Sequence, residues 1–308
     1  MKYTLFKLQF TSAVHFGAGG LTMSSNVLMA DTVFSALCTE AARAGCEPEK
    51  LIAAVREGQI RISDAMPYIG DRFYVPRPLA EITTDKEGNS SVKKALKKLS
   101  YVPADCLASY IKGTLDIEKE ADILAGSLGQ SFLLEKAAVD TGEETRPYAV
   151  GLYRYFDGSG LYICMGYESD AEYRLFTELL EILSYAGIGG KTSAGYGRFH
   201  SVPVKPDREM EERLSRKTWK QAMSLSVSLP LPLEMEKAME NAGTRLVKRS
   251  GWISSVPGAE VIRKRRDIYM FAAGSVFRNL YKGSLYDLGS NDTHSVFRYG
   301  YPMFMGVE

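Results

Sequence analysis

The chain has 308 residues, 45% of them hydrophobic, which is enough apolar material for one large core or two modest ones and marks it as globular. Its 38 Lys and Arg offset 37 Asp and Glu to leave a formal net charge of +1, which excludes a strongly basic, free-standing nucleic-acid binder, so any nucleic-acid surface has to be local. Cys38, Cys46, Cys106 and Cys164 form no CxxC pair, and neither a signal peptide nor a long apolar run is present; this reads as a reduced, soluble, cytoplasmic chain with no metal site, no cofactor and no membrane contact.

In chain order, KYTLFKLQF places Thr4, Phe6, Leu8 and Phe10 on one face and Tyr3, Leu5, Lys7 and Gln9 on the other, the period-two pattern of a strand. The turn SAVHFGAGG follows. In ADTVFSALCTEAARAG, Asp31 is the expected N-cap, Val33, Phe34, Leu37 and Ala41 form the apolar stripe, and Gly45 closes the helix. PEKLIAAVREG reads as a second short helix, and QIRIS and DRFYV as short strands. RPYAVGLYRYF, the turn DGSG and LYICMGY read as a β-hairpin. YRLFTELLEILSYA, with Phe176, Leu179, Leu180 and Leu183 at helical spacing, is a helix with Gly187 at its C-cap, and YGRFHSVPV is a strand. The order β-α-β, β-α-β with insertions is that of a ferredoxin-like unit. The highly charged KPDREMEERLSRKTWK marks a boundary, so residues 1–205 form one domain and 206–308 a second. In the latter, QAMSLSVSLPL alternates Met223, Leu225, Val227 and Leu229 with serines, RDIYMFAAGSVFR and RYGYPMFMGV are strand-like, and the one helical candidate is LEMEKAMENA. The fold class is therefore α+β: two ferredoxin-like (RRM-like) domains, the second reduced and β-rich.

Between that helix and strand lies GIGGKTSAGYG, which crowds Gly187, Gly189, Gly190, Gly195 and Gly197 around Lys191, Thr192 and Ser193. GGKTS resembles the end of a P-loop, but the glycine required five positions before Gly190 is Tyr185. The order is also wrong, because phosphate-binding turns run strand, loop, helix and this one runs helix, loop, strand. A glycine loop beside a sheet instead suits single-stranded RNA, with backbone groups near phosphates and Lys191 as a local charge. Some of these glycines, Gly187 above all, are expected only to satisfy a tight turn.

The first strand leading into HFG, DTVFSAL on the first helix, and GGKTSAGYGRF before the last strand of the domain together resemble the RAMP superfamily of CRISPR systems. The nearest likeness is to the subunit of type III-A effector complexes that caps the crRNA 5′ end, and it extends through AAVDTGEETRPYAVGLY, GSVF and YGYPMFMGV. The resemblance implies a non-catalytic RNA-binding subunit with two ferredoxin-like domains. Such a subunit holds the crRNA 5′ tag, meets target RNA only indirectly, and contacts the large polymerase-like subunit and the backbone RAMP subunits that coat the guide. The residues it marks for RNA contact are His15, Phe16 and Gly17 after the first strand, Arg146 at the end of the Thr-Gly region, and Gly187, Gly189, Gly190, Lys191, Thr192, Ser193, Gly195, Tyr196 and Gly197 in the loop.

KKALKKLSY adds Lys93, Lys94, Lys97 and Lys98, a basic stripe if helical, which serves either RNA or solvent. Arg263 to Arg266 read the same way, with a contact between subunits equally open. Residues 112–145 are too long for an ordinary turn. In resembling proteins an insertion here forms a thumb that kinks the guide, so Phe132, Leu133 or Leu134 could unstack a base, or could cover the domain's own core. His15, in following the first strand, is similar to the catalytic histidine of related RAMP endoribonucleases. It has no full catalytic set around it: His200 and His294 are the only other histidines, and nothing places a second catalytic group beside any of them. The alternatives to a crRNA-holding subunit are a metal-independent endoribonuclease that processes precursor crRNA, and a purely architectural subunit touching only protein.

Overall fold

The structure is a computed structural model and describes residues 1–80, 96, 99–138, 146–216, 218–251, 266–289 and 295–307. The chain runs through β1 (Lys2–Phe10), the short β2 (Phe16–Gly17) and β3 (Ser24–Ser25), α1 (Ala30–Arg43), α2 (Pro48–Glu57), β4 (Ile60–Ile69), β5 (Arg72–Pro76) and β6 (Tyr101–Pro103). It continues through α3 (Leu107–Ile111), α4 (Ile117–Ser127), β7 (Gly129–Ala138), β8 (Arg146–Tyr155), β9 (Ser159–Tyr167), α5 (Asp170–Ala186) and β10 (Phe199–Val204). The last third holds α6 (Arg208–Ser215), β11 (Ala222–Ser224), α7 (Pro232–Met239), β12 (Leu246–Arg249), β13 (Ile268–Phe271), β14 (Val276–Phe277), β15 (Leu285–Asp287), β16 (Phe297–Tyr299) and β17 (Phe304–Gly306).

The main sheet is antiparallel, in the order β10-β1-β9-β4-β5-β6. Two β-α-β crossovers, β1-α1-β4 and β9-α5-β10, interleave within it. On the helix side Phe6 and Leu8 pack with Phe34 and Leu37 of α1 and with Phe176 and Leu180 of α5. The alternation in β1 correctly sorts its residues into two faces, but both are buried. Leu5, Met66, Tyr162 and Cys164 meet a second layer that includes Leu107, Tyr110, Met210, Met223 and Leu225. Lys7 lies on that second face, only 8% exposed, and its ammonium donates to the Gly70 carbonyl (2.8 Å) and the Asp71 carboxylate (2.9 Å). The sheet thus has no open face of the kind on which an RRM stacks bases.

Three local expectations change. The hairpin expected over 146–167 does not form: β8 pairs with β7, from Gly129↔Tyr155 to Ala138↔Arg146, while β9 pairs with β1 and β4. The cause is burial, since β9 is an almost unbroken buried run and has to lie inside the sheet with both edges occupied. Asp31 is not the N-cap of α1; Met29 is, and the Ala30 N–H donates instead to the Asp64 carboxylate (2.7 Å). Asp31 sits inside the first turn, buried, and binds Arg249 and Arg298 from the far end of the chain, partners that no local pattern announces. The third change concerns α5, which starts three residues before the periodic stretch because Ser169 and Glu172 close a capping box there.

Residues after 205 build the three-stranded sheet β14-β11-β17 and the two-stranded pairs β12-β13 and β15-β16. The charged stretch at 205–220 contains α6, which buries Met210 and Leu214 and is capped by the Asp207 side chain on the Met210 N–H (2.8 Å). Val227, Met270, Tyr299 and Tyr301 join the helix-side core, and Met223, Leu225, Met303 and Met305 join the second layer, so the two halves share both. The serines alternating with Met223, Leu225 and Val227 are buried as well. Ser224 donates to the Ser226 carbonyl (2.7 Å), Ser226 donates to the Tyr301 carbonyl (3.0 Å), and Ser228 pairs with the Tyr281 hydroxyl (2.7 Å).

Candidate nucleic-acid interface

Where β1 ends, three segments are tied together by backbone hydrogen bonds. Val14 exchanges two with Tyr153 of β8 (2.8 and 2.9 Å), the Gly197 N–H donates to the Ala13 carbonyl (3.0 Å), and the Gly190 N–H donates to the His15 carbonyl (2.8 Å). The post-β1 turn, the glycine loop between α5 and β10, and the β7-β8 ribbon are therefore one assembly, which brings together His15, Phe16, Gly17 and the eleven residues from Gly187 to Gly197.

Within it the predicted residues divide by role. His15 is 8% exposed, and its Nδ1 donates to the Gly151 carbonyl (2.7 Å). Gly190 lies against that ring, where a Cβ would stand 2.7 Å from His15 Cδ2. Gly187 and Gly189 are packed as tightly, and a Cβ on Gly197 would approach the Ile188 carbonyl to 2.2 Å. The amides of Gly187, Ile188, Gly190, Ala194, Gly195 and Gly197 are used inside the fold. What faces outward is the crest, with Lys191 and Ser193 exposed and Thr192 and Tyr196 half-buried. Lys191 holds a left-handed backbone conformation (φ 62°), which is costly for a residue with a side chain and is characteristic of functional loops.

The ribbon faces this crest. The Lys136 ammonium lies 4.8 Å from the ring centre of Tyr196, and that of Lys191 lies 5.6 Å from the ring centre of Tyr148. Lys136 and Tyr148 are themselves cross-strand partners, so a reciprocal pair of cation–π contacts joins ribbon to loop. Neither residue stood out in the sequence, because their significance depends on the β7-β8 pairing. Phe132 and Leu134 are half-buried beside Ala13, Val150 and Leu152, whereas Leu133 points outward at 61% exposure. All three lie along β7; residues 139–145, which follow β7 in the sequence, are outside the described residues. Arg146 opens β8, exposed, opposite Ala138.

Behind the loop, Phe16, Gly17, Gly187, Gly189, Gly190 and Thr192 line one side of a cleft of about 470 Å³ whose other walls are α1, Arg249 and Arg298. Arg249 grips Asp31 through two nitrogens (2.9 Å each) and also donates to the Thr32 hydroxyl (2.8 Å). Burial works against the charge on Asp31, but the guanidinium of Arg249 and then that of Arg298 outweigh it and hold its carboxyl below the ordinary value.

Lys93, Lys94, Lys97, Lys98, Arg263 to Arg265 and His294 lie outside the described residues. Arg266 donates to the Gly289 carbonyl (2.8 Å), and His200 is exposed on β10 opposite Gln9. Among the described residues no group of three or more His, Cys, Asp or Glu side chains could hold a metal ion, and no helix is long and apolar enough to cross a membrane.

Comparison with known proteins gives matches along the whole chain. A family model described as the RAMP superfamily matches residues 7–200, and one described as the CRISPR Csm4 C-terminal domain matches residues 217–307. A protein called CRISPR system Cms protein Csm4 from Mycobacterium tuberculosis (strain ATCC 25618 / H37Rv) is 35% identical over 308 residues, covering 100% of this chain and 98% of the relative. Its namesake in Streptococcus thermophilus is 32% identical over 322 residues, covering all of both chains. Among solved structures, a chain of the Csm3-Csm4 subcomplex of the type III-A CRISPR-Cas interference complex superposes with a TM-score of 0.66 at 18% identity, covering 99% of each chain. A chain of the Csm1-Csm4 cassette in complex with pppApA gives a TM-score of 0.62 at 19% identity, covering 100% of this chain and 98% of that one.

Proposed function

The chain belongs to the RAMP superfamily and, within it, to the Csm4 family, and from that premise we propose that it holds the 5′ tag of a crRNA in a type III-A effector complex without cutting it. In this reading residues 1–205 are a ferredoxin-like domain, whose strand order β10-β1-β9-β4 fits that fold, and residues 206–308 are a reduced, β-rich relative of it. Its partners are a Csm1-type large subunit and a Csm3-type backbone subunit, after the assemblies in which similar chains were solved.

The observation that carries the RNA assignment is the crest of the glycine loop. Lys191 stands exposed in a strained conformation with its ammonium over the ring of Tyr148, and beside it Lys136 of the ribbon lies over the ring of Tyr196. A cation beside aromatic faces is the pairing that single-stranded RNA uses, the charge meeting phosphate and the rings meeting bases. With both faces of the main sheet covered, this edge takes the place of the sheet surface. What supports a holding role over a cutting one is the burial of His15: a general base has to come within hydrogen-bond reach of its substrate, and this ring is only 8% exposed.

The test uses the assembly of this chain with its Csm1- and Csm3-type partners. Lys191→Ala should weaken tag-RNA binding and reduce the slope of log affinity against log salt by about 0.7, the value for one phosphate contact on a single strand. A repeat-containing precursor RNA should remain intact with the wild-type chain, with or without Mg²⁺. Site-specific cleavage that disappears in His15→Ala would replace this reading with that of a processing enzyme.

A further inference from the structure

We infer that the cleft between α1 and the glycine loop receives one nucleotide turned out of the RNA strand, with its phosphate set against Arg249. This rests on the RNA-holding role proposed above and adds a specific seat to it. The cleft's volume of about 470 Å³ falls within the range of pockets that enclose a small molecule, larger than one side chain needs.

Its chemistry is divided in the way a nucleotide is. Val27, Met29 and Ala36 are half-buried apolar residues of its lining and give a wall for a base, while on α1 the Thr32 hydroxyl already accepts from Arg249 (2.8 Å) and that of Thr39 donates to the Ser35 carbonyl (2.8 Å). At the back, among the described residues, two guanidinium groups share one carboxylate. Arg249 and Arg298 both bind Asp31, and the nearby Asp64 carboxyl, pushed up to about 7 by burial, offsets the remaining positive charge only in part. Arg298 is nearly inaccessible and its Nε has no hydrogen-bond partner, whereas the Arg249 side chain keeps 18% exposure and lines the cleft. An excess buried charge is unfavourable until an anion joins it, and a phosphate is the anion the neighbouring loop would bring. The loop is also the shared wall: Gly189, Gly190 and Thr192 line the cleft while Lys191, between them and the ribbon, faces outward, so a strand crossing the crest passes the cleft mouth. Turning one base out of a strand that is already single costs little.

The experiment measures, in the same assembly, the affinity of tag RNAs that each carry a single abasic residue at a successive position. One position should lose about tenfold or more and the others little, since the stacking of one base is worth that much. Ser35→Phe, which fills the cleft from α1, should weaken the intact RNA by a similar factor and add no further loss at that one abasic position. Thr39→Phe, one helical turn on, repeats the test should the first variant fold poorly. Losses spread evenly over positions, or filled-cleft variants that bind like wild type, overturn the seat and leave RNA holding in place. Failure of the wild-type assembly to bind any tag RNA removes both.

Discussion

Gly195 and Gly197 lie two residues apart, both with left-handed φ (86° and 79°), yet what surrounds them is opposite. A Cβ on Gly197 meets the Ile188 carbonyl at 2.2 Å, whereas one on Gly195 meets nothing within 4 Å. Gly197→Ala must therefore displace the loop as well as strain its backbone and should cost more than about 2 kcal/mol of folding free energy, while Gly195→Ala should cost about 1 kcal/mol for the conformation alone. Urea unfolding of the two variants decides it, and equal losses would mean that the loop relaxes around both. It follows that Gly195, together with Lys191, is the cleaner probe of RNA contact, because changes at Gly187, Gly189, Gly190 or Gly197 report first on the loop's own packing.

The ribbon β7-β8 is held to the loop by a few contacts, whereas β9 has a strand on either side. Tyr148→Ala removes one cation–π contact, worth about 0.5–1 kcal/mol at such an exposed site, and part of the small cluster around Leu152. Amide exchange along β7 and β8 should accelerate severalfold while β9 stays protected; faster exchange in both would mean that the ribbon does not open by itself. The ribbon was also the element least legible in the sequence. RPYAVGLYRYF and LYICMGY were each readable as strands, and the turn between them was real, but which strand pairs with which is settled by burial across the whole sheet. The helices fared better because their signals are local: the stripe of Phe176, Leu179, Leu180 and Leu183 and the stop at Gly187 lie within one segment. The glycine loop was legible for the same reason. The cleft behind it was not, since Asp31 meets Arg249 and Arg298 across separations of 218 and 267 residues.

At the scale of the whole molecule the two halves are tied by Asp64 in β4, whose carboxylate accepts the N–H of Ala30 at the start of α1 (2.7 Å) and that of Val227 in the last third (2.9 Å). Burial pushes its carboxyl up from 3.8 to about 7, against the pull of those two donors and with some help from the nearby negative charge of Asp31. Between those two values the folded chain keeps a proton that the unfolded chain has released, so the contribution of Asp64 to stability is complete below about pH 4 and declines as pH rises through 7. Asp64→Asn keeps an oxygen for both donors and cannot ionise, so the urea midpoint of the variant should vary less between pH 4 and 7 than that of wild type; an unchanged slope would assign the dependence to other groups. Asp31, held below its ordinary value, acts in the opposite direction and only at the acid end. The serine row beside Val227 has its own consequence at this scale. With Ser224, Ser226 and Ser228 sealed under Tyr281 and the Tyr301 carbonyl, and Met223, Leu225 and Val227 sealed on the other side, neither face of this segment touches water. A slip by one residue would set hydroxyls against the apolar layers and methyl groups against the hydroxyl partners, a double mismatch with no solvent to absorb it. The segment acts as a key cut on both edges, admitting a single alignment of the last third of the chain on the first two.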